Sequence, residues 1–81
     1  MEHEAVFRFT TLHAPALYRS VFPETESEVN PRSAASVRLE GADTLVLTIQ
    51  AEDLPALRAS LNMWLRLVNV ADEMLDTAES R

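Results

Sequence analysis

Residues 53–76 read DLPALRASLNMWLRLVNVADEMLD, and the spacing of their apolar positions decides the fold. At about 100° per residue, Leu57, Leu61, Trp64, Val68, Ala71 and Leu75 fall on one stripe, which predicts a helix with a buried face. A second series, Ala56, Ser60, Met63, Leu67, Val70 and Met74, keeps the same spacing about 100° further round the axis. Arg58, Asn62, Arg66, Asn69 and Glu73 form the continuous polar strip that remains. An ordinary surface helix needs an apolar arc of about 100°, and this one carries roughly twice that. The surplus seam of Met63, Leu67, Val70 and Met74 therefore predicts docking against a further partner. Asp53 is placed to cap the helix, and Pro55 is tolerated in the first turn, where amides lack intrahelical acceptors.

Upstream of this helix the period changes to two. Residues 33–40 (SAASVRLE) set Ala35, Val37 and Leu39 against Ala34, Ser36 and Arg38, and residues 44–51 (TLVLTIQA) set Leu45, Leu47 and Ile49 against Val46, Thr48 and Gln50. Between them stands Gly41, the chain's only glycine, where a tight turn calls for positive φ, so the two strands form a hairpin. Residues 3–10 (HEAVFRFT) alternate likewise and predict a first strand. Pro15, followed by Leu17, Val21 and Phe22, predicts a short helix over 14–22, and the acidic, proline-punctuated stretch 23–32 predicts an exposed loop. The expected chain is βαββα. Three strands with one apolar face must lay it on the helices, giving an α+β two-layer sandwich with a three-stranded antiparallel sheet and both helices on one face.

At 81 residues without cysteine, residues 1–81 are expected to form a single domain that is marginal alone and gains stability by association rather than by disulfides. No run approaches the about 18 apolar residues of a membrane span, and the opening MEHEAVFRF is acidic where a signal peptide is basic. The expectation is a cytoplasmic protein with no membrane association. Thirteen acids against seven arginines and no lysine give a net charge of −6, which opposes non-specific attraction to nucleic acid. Such an archaeal-like, halophile-like composition fits GC-rich codon usage or, preferably, high internal salt. In high salt, phosphate attraction shrinks and net charge no longer excludes RNA.

Chemistry of an enzymatic kind is sparse. His3 and His13 lie in different elements without ligand spacing, one glycine builds no phosphate loop, and Ser33, Ser36 and Ser60 have no neighbouring base. Glu24, Glu26 and Glu28 read as a solvated acidic loop. No catalytic residue, metal site, cofactor or small-molecule substrate is expected. Trp64 reads as core. Arg58, Asn62 and Arg66, spaced by four, are either a solvated face or a contact strip for a protein or an RNA backbone, with Arg32 and Arg38 as further candidates.

AEDLPALRASLNMWLRL (51–67), preceded by SAASVRLE (33–40) and LVLTI (45–49), resembles the Pcc-type small subunit of the KEOPS (EKC) complex. The likeness covers nearly the whole chain and is strongest where the hairpin runs into the helix carrying Leu57-Arg58-Ala59-x-x-Asn62, with the aromatic Trp64 following. Met63 stands where the family often has Ser. The resemblance implies a non-catalytic subunit, KH-like in outline without a GXXG clamp, that forms a homodimer and docks its helices on an ASKHA-fold threonylcarbamoyltransferase. That assembly places threonylcarbamoyl on the adenosine beside the anticodon of tRNAs reading ANN codons, and the small subunit is expected to hold it together and help bind tRNA. The competing expectation is a generic small dimeric RNA-binding α+β module, resting on Arg32, Arg38, Arg58 and Arg66. Two surfaces are needed in the first case, one for the homodimer and one for the catalytic subunit, and the residues leave open which is which.

Overall fold

The alternating stretches form β1 (His3–Thr10), β2 (Ser33–Glu40) and β3 (Thr44–Ala51), and the two helical stretches form α1 (Ala14–Ser27) and α2 (Leu54–Glu79), in a computed structural model that describes residues 2–27 and 30–79. The sheet order is β1-β3-β2 and both pairings are antiparallel. The order of elements is the expected β-α-β-β-α, and the α+β class holds. β3 is flanked on both sides, and Leu45, Val46, Leu47, Ile49 and Ala51 are all fully buried.

One face of the sheet carries the core. In register, Phe9, Leu45 and Leu39 form one row and Phe7, Leu47 and Val37 the next. Leu17 and Val21 of α1 and Trp64 and Val68 of α2 close over Val37, Leu45, Leu47 and Ile49. α1 lies mainly on β2, and α2 packs on β3 and β1. On the opposite face Val46 stands between Arg8 and Arg38. Both arginines reach Glu40, at 3.3 Å and 3.0 Å, so their aliphatic stems flank Val46 while their charged heads stay in water.

The local signals at the turns are realised. Gly41 has φ of 70°, and the hairpin closes on the Glu40–Thr44 pair. The Thr11 amide donates to the Asp43 carbonyl at 2.7 Å, pinning that turn to the end of β1. At the start of α2 the Ala56 amide donates to Asp53 Oδ1 at 2.8 Å, which is the cap expected, with Pro55 in the first turn.

α1 departs from expectation. It does not stop at Phe22 but continues through Pro23 to Ser27, so the first part of the expected loop is helical. Proline removes the amide that would bond the Arg19 carbonyl and ordinarily ends or kinks a helix. Here the turn beyond it is held by side chains: the Thr25 hydroxyl donates to the Phe22 carbonyl at 2.7 Å and the Ser27 hydroxyl to the Glu24 carbonyl at 3.4 Å. Tyr18 and Phe22 stack with ring centres 5.4 Å apart, stiffening the turn before the proline. Residues 28–29, including Glu28, lie outside the described residues, and the chain resumes in a turn at 31–32.

α2 runs three residues past the expected end, to Glu79. At about 1.5 Å per residue its 26 residues exceed the eight-residue strands, so its final turns project beyond the sheet. They are tethered to the β1–α1 turn instead. Thr11 Oγ1 bonds Asp72 Oδ1 at 3.3 Å, and His13 Nε2 approaches Asp76 Oδ1 at 3.6 Å.

Candidate functional site

The inward side of α2 is centred on Ser60, Trp64 and Val68, spaced by four and all buried. Leu57 and Leu61, counted with the core stripe by spacing alone, are only partly buried. Ser60, counted with the surplus series, is turned inward at 7% exposure, and its hydroxyl finds no hydrogen-bond partner among the described residues.

This rotation sets the surplus seam at the border of the core. Leu67 packs against the core from the side, while Met63, Val70 and Met74 remain 44%, 49% and 68% exposed. Met63, Leu67 and Val70 form the floor of an open groove of about 680 Å³, with the edge of Trp64 beneath them. One wall is the last turn of α1, through Glu24 and Ser27, and the other is α2 itself, through Asn62 and Arg66. Met74 lies one turn further along, on the projecting part of α2. Because the start of α1 is tethered at Asp72 and Asp76 and its end faces Met63 and Val70, the two helices run in opposite directions.

The polar candidates fall into separate places. Arg58, Asn62 and Arg66 form an exposed row on α2, and neither arginine has an ion pair or hydrogen bond among the described residues. Arg32 stands beside Pro55 at the start of the same helix, but its guanidinium is engaged by Glu52 at 3.0 Å and by Asp53. Arg38 is on the far face of the sheet, paired with Glu40, and is not brought near the α2 row. The charges respond accordingly. The Ala56 amide and then the Arg32 guanidinium hold the Asp53 carboxyl below its ordinary range. Hydrogen bonds from Arg8 and Arg38 do the same for Glu40, and the hydrogen bonds that Arg32 donates to Asp53 and Glu52 raise Arg32.

Glu24 and Ser27 are the site residues that sequence reasoning missed. Pro23 hid them, because it reads as the end of a helix. The available signal was Thr25 and Ser27 following the proline, since hydroxyls at that spacing can bond carbonyls of the preceding turn. Among the described residues no group of three or more His, Cys, Asp and Glu side chains is placed to hold a metal ion, and no helix is long and apolar enough to cross a membrane. The groove combines an apolar floor with an exposed polar rim, an arrangement suited to receiving another protein surface. A family model described as transcription factor Pcc1 matches residues 2–76. No curated protein matches the chain.

Proposed function

The chain belongs to the Pcc1 family, the small-subunit family of the KEOPS complex, and on that premise we propose that it is a non-catalytic, dimeric scaffold subunit. In this reading residues 1–81 are a single cytoplasmic Pcc-type domain. It docks on the ASKHA-fold threonylcarbamoyltransferase subunit and so supports threonylcarbamoyl modification of the adenosine next to the tRNA anticodon, helping to hold the tRNA. The observation that carries the docking step is the groove floored by Met63, Leu67 and Val70, which nothing within the described chain fills. Helices received in such grooves anchor through side chains spaced by three and four, the spacing this floor repeats.

Co-purification with the threonylcarbamoyltransferase subunit tests it. Val70→Asp plus Met74→Asp places two charges on the seam at positions 49% and 68% exposed, where the fold itself should tolerate them. Loss of the complex with unchanged circular dichroism is expected, and retained binding would remove the seam from the interface.

A second reading, a small dimeric RNA-binding module, is favoured by the unpaired row of Arg58 and Arg66 flanking Asn62. It predicts that the isolated protein binds tRNA with an affinity falling steeply with salt. A flat salt response or absent binding argues against it.

A further inference from the structure

The N-terminal third of α2 borders two adjoining hollows, of about 290 and 350 Å³, that share Pro55 and Ala59. Ligand pockets run from about 300 to 1,000 Å³, so each hollow suits one small group. The first lies between α2 and the turn before β2, with Pro55 and Met63 as apolar walls and Ser60, Asn30 and Arg32 as its polar groups. Ser60 is only 7% exposed, and its hydroxyl has no hydrogen-bond partner among the described residues. A buried hydroxyl left unbonded is destabilising, and a ligand atom on this side of the helix supplies the missing bond. Asn30 accepts the Arg32 amide through Oδ1 at 2.9 Å, which leaves its side-chain nitrogen as a donor. The Arg32 guanidinium is already engaged by Glu52 and Asp53, so this hollow favours an uncharged group that both donates and accepts. The second hollow is different. Arg58 lines it beside Asn62, close to the start of the helix, and Arg58 has no ion pair or hydrogen bond among the described residues. A helix start favours anions, and an unpaired guanidinium matches the oxygens of a phosphate.

We infer that the two hollows form one nucleotide site, with a base in the hollow bordered by Ser60 and its phosphate against Arg58. A base is planar and uncharged, carries donors and acceptors along its edge, and packs on apolar and sulfur-bearing surfaces, which is what Ser60, Asn30, Pro55 and Met63 offer. Ala59 lines both hollows and is exposed, so the sugar that joins base to phosphate crosses only a methyl group. An inorganic anion would answer Arg58 and leave the Ser60 hydroxyl unbonded. An apolar protein side chain would leave both unanswered. The inference rests on the RNA-holding part of the reading above and names what is held: a nucleotide free of a duplex, because a stacked and paired base cannot enter a hollow.

The test is an NMR titration of the full chain with each of the four nucleoside monophosphates, with inorganic phosphate and with a short single-stranded RNA, repeated on Ser60→Ala, Arg58→Gln and Ala59→Leu. Arg58 and Ala59 are exposed and Ser60→Ala keeps the packing volume, so melting curves should show all three variants folded. At least one monophosphate is expected to shift backbone amides within residues 30–32 and 54–63, and inorganic phosphate only those near Arg58. Ser60→Ala should weaken monophosphate binding by about three- to tenfold and leave phosphate binding unchanged. Arg58→Gln should weaken both and flatten their salt dependence, and Ala59→Leu should block the monophosphate. Tighter binding of the RNA than of any monophosphate assigns the site to an unpaired nucleotide of RNA, and the reverse order assigns it to a free nucleotide. The inference is overturned if no monophosphate binds, if inorganic phosphate binds as tightly as every monophosphate, or if folded Ser60→Ala binds as the wild type does. In those cases tRNA binding by the wild type would leave the RNA-holding role standing, and its absence would remove both.

Discussion

The Arg32 guanidinium donates to the Asp53 carboxylate, joining the start of β2 to the start of α2 across 21 positions of sequence. The other oxygen of Asp53 caps the helix at the Ala56 amide. One carboxylate thus fixes where α2 begins and how that end sits against the sheet. Arg32, offered by sequence as an RNA contact, is held in a structural pair.

A pH dependence follows. The folded carboxyls of Asp53 and Glu40 titrate below their ordinary values of 3.8 and 4.5. Their contribution is therefore complete above those ordinary values and is lost as pH falls through the lower folded ones. The melting temperature should be flat from neutral pH down to about 5 and then decline in acid. Asp53→Ala with Glu40→Ala should melt lower at neutral pH and show a shallower acid decline. Thermal melts of both proteins between pH 7 and pH 2 check this, and an identical acid decline in the variant would refute it.

Core and groove residues of α2 should separate cleanly. Trp64 is 2% exposed within the core, and Trp64→Ala should cost about 3–5 kcal/mol in urea unfolding. Met63→Ala and Val70→Ala, at half-exposed positions of the groove floor, should shift unfolding by no more than about 1 kcal/mol while weakening partner binding. Equal destabilisation by all three would place the floor in the core.

Gly41→Ala should destabilise by about 1 kcal/mol or somewhat more. The cause is conformational, because φ is 70° and an added methyl would find its nearest neighbour, Asp43 Oδ1, at an ordinary 3.9 Å. Gly41→Asn, which tolerates the left-handed region better, should lose less in the same unfolding experiment. Equal losses would point to crowding instead.

Ser60→Ala should raise stability by up to about 1 kcal/mol, since it removes a buried hydroxyl that has no partner and leaves the small packing volume in place. A loss of stability would show that the hydroxyl is bonded in solution, for example to the Ala56 carbonyl one turn back.

Much of the fold was legible because the signals were local. Strand alternation at 33–40 and 44–51, Gly41 between them and Asp53 ahead of a long apolar period each admit few alternatives, and the elements follow them. The groove was half legible: the Met63, Leu67 and Val70 seam follows from helical geometry alone. Its second wall did not, because Glu24 and Ser27 reach α2 only if α1 survives Pro23, and that depends on hydroxyl-to-carbonyl bonds and tertiary packing. The rotation that buries Ser60 was equally hidden, since a series of small and apolar residues looks alike from either side of the stripe. Arg32 could not be separated from Arg58 and Arg66 by spacing, as its partners Glu52 and Asp53 are set by the pairing of β2 with β3 and by the approach of α2, whereas the partner of Arg38, Glu40, lies two residues along the same strand and was within reach of strand periodicity.

The continuation of α1 gives the most direct check on that second wall. With Pro23 inside the helix, the Arg19 carbonyl has no amide to receive, and the last turn depends on Thr25, Ser27 and contact with α2. Pro23→Ala restores the missing bond in a conformation alanine favours. It should stabilise the protein by about 1–3 kcal/mol, each kcal/mol raising the melting temperature by roughly 4–8 °C in a chain of this size. Far-ultraviolet circular dichroism should show no loss of helix, because the turn is already helical. Amide exchange in residues 24–27 should slow. If α1 ended at Phe22, alanine would instead add helix on substitution, with a rise in the circular dichroism signal, and the Glu24 wall of the groove would exist only in the variant.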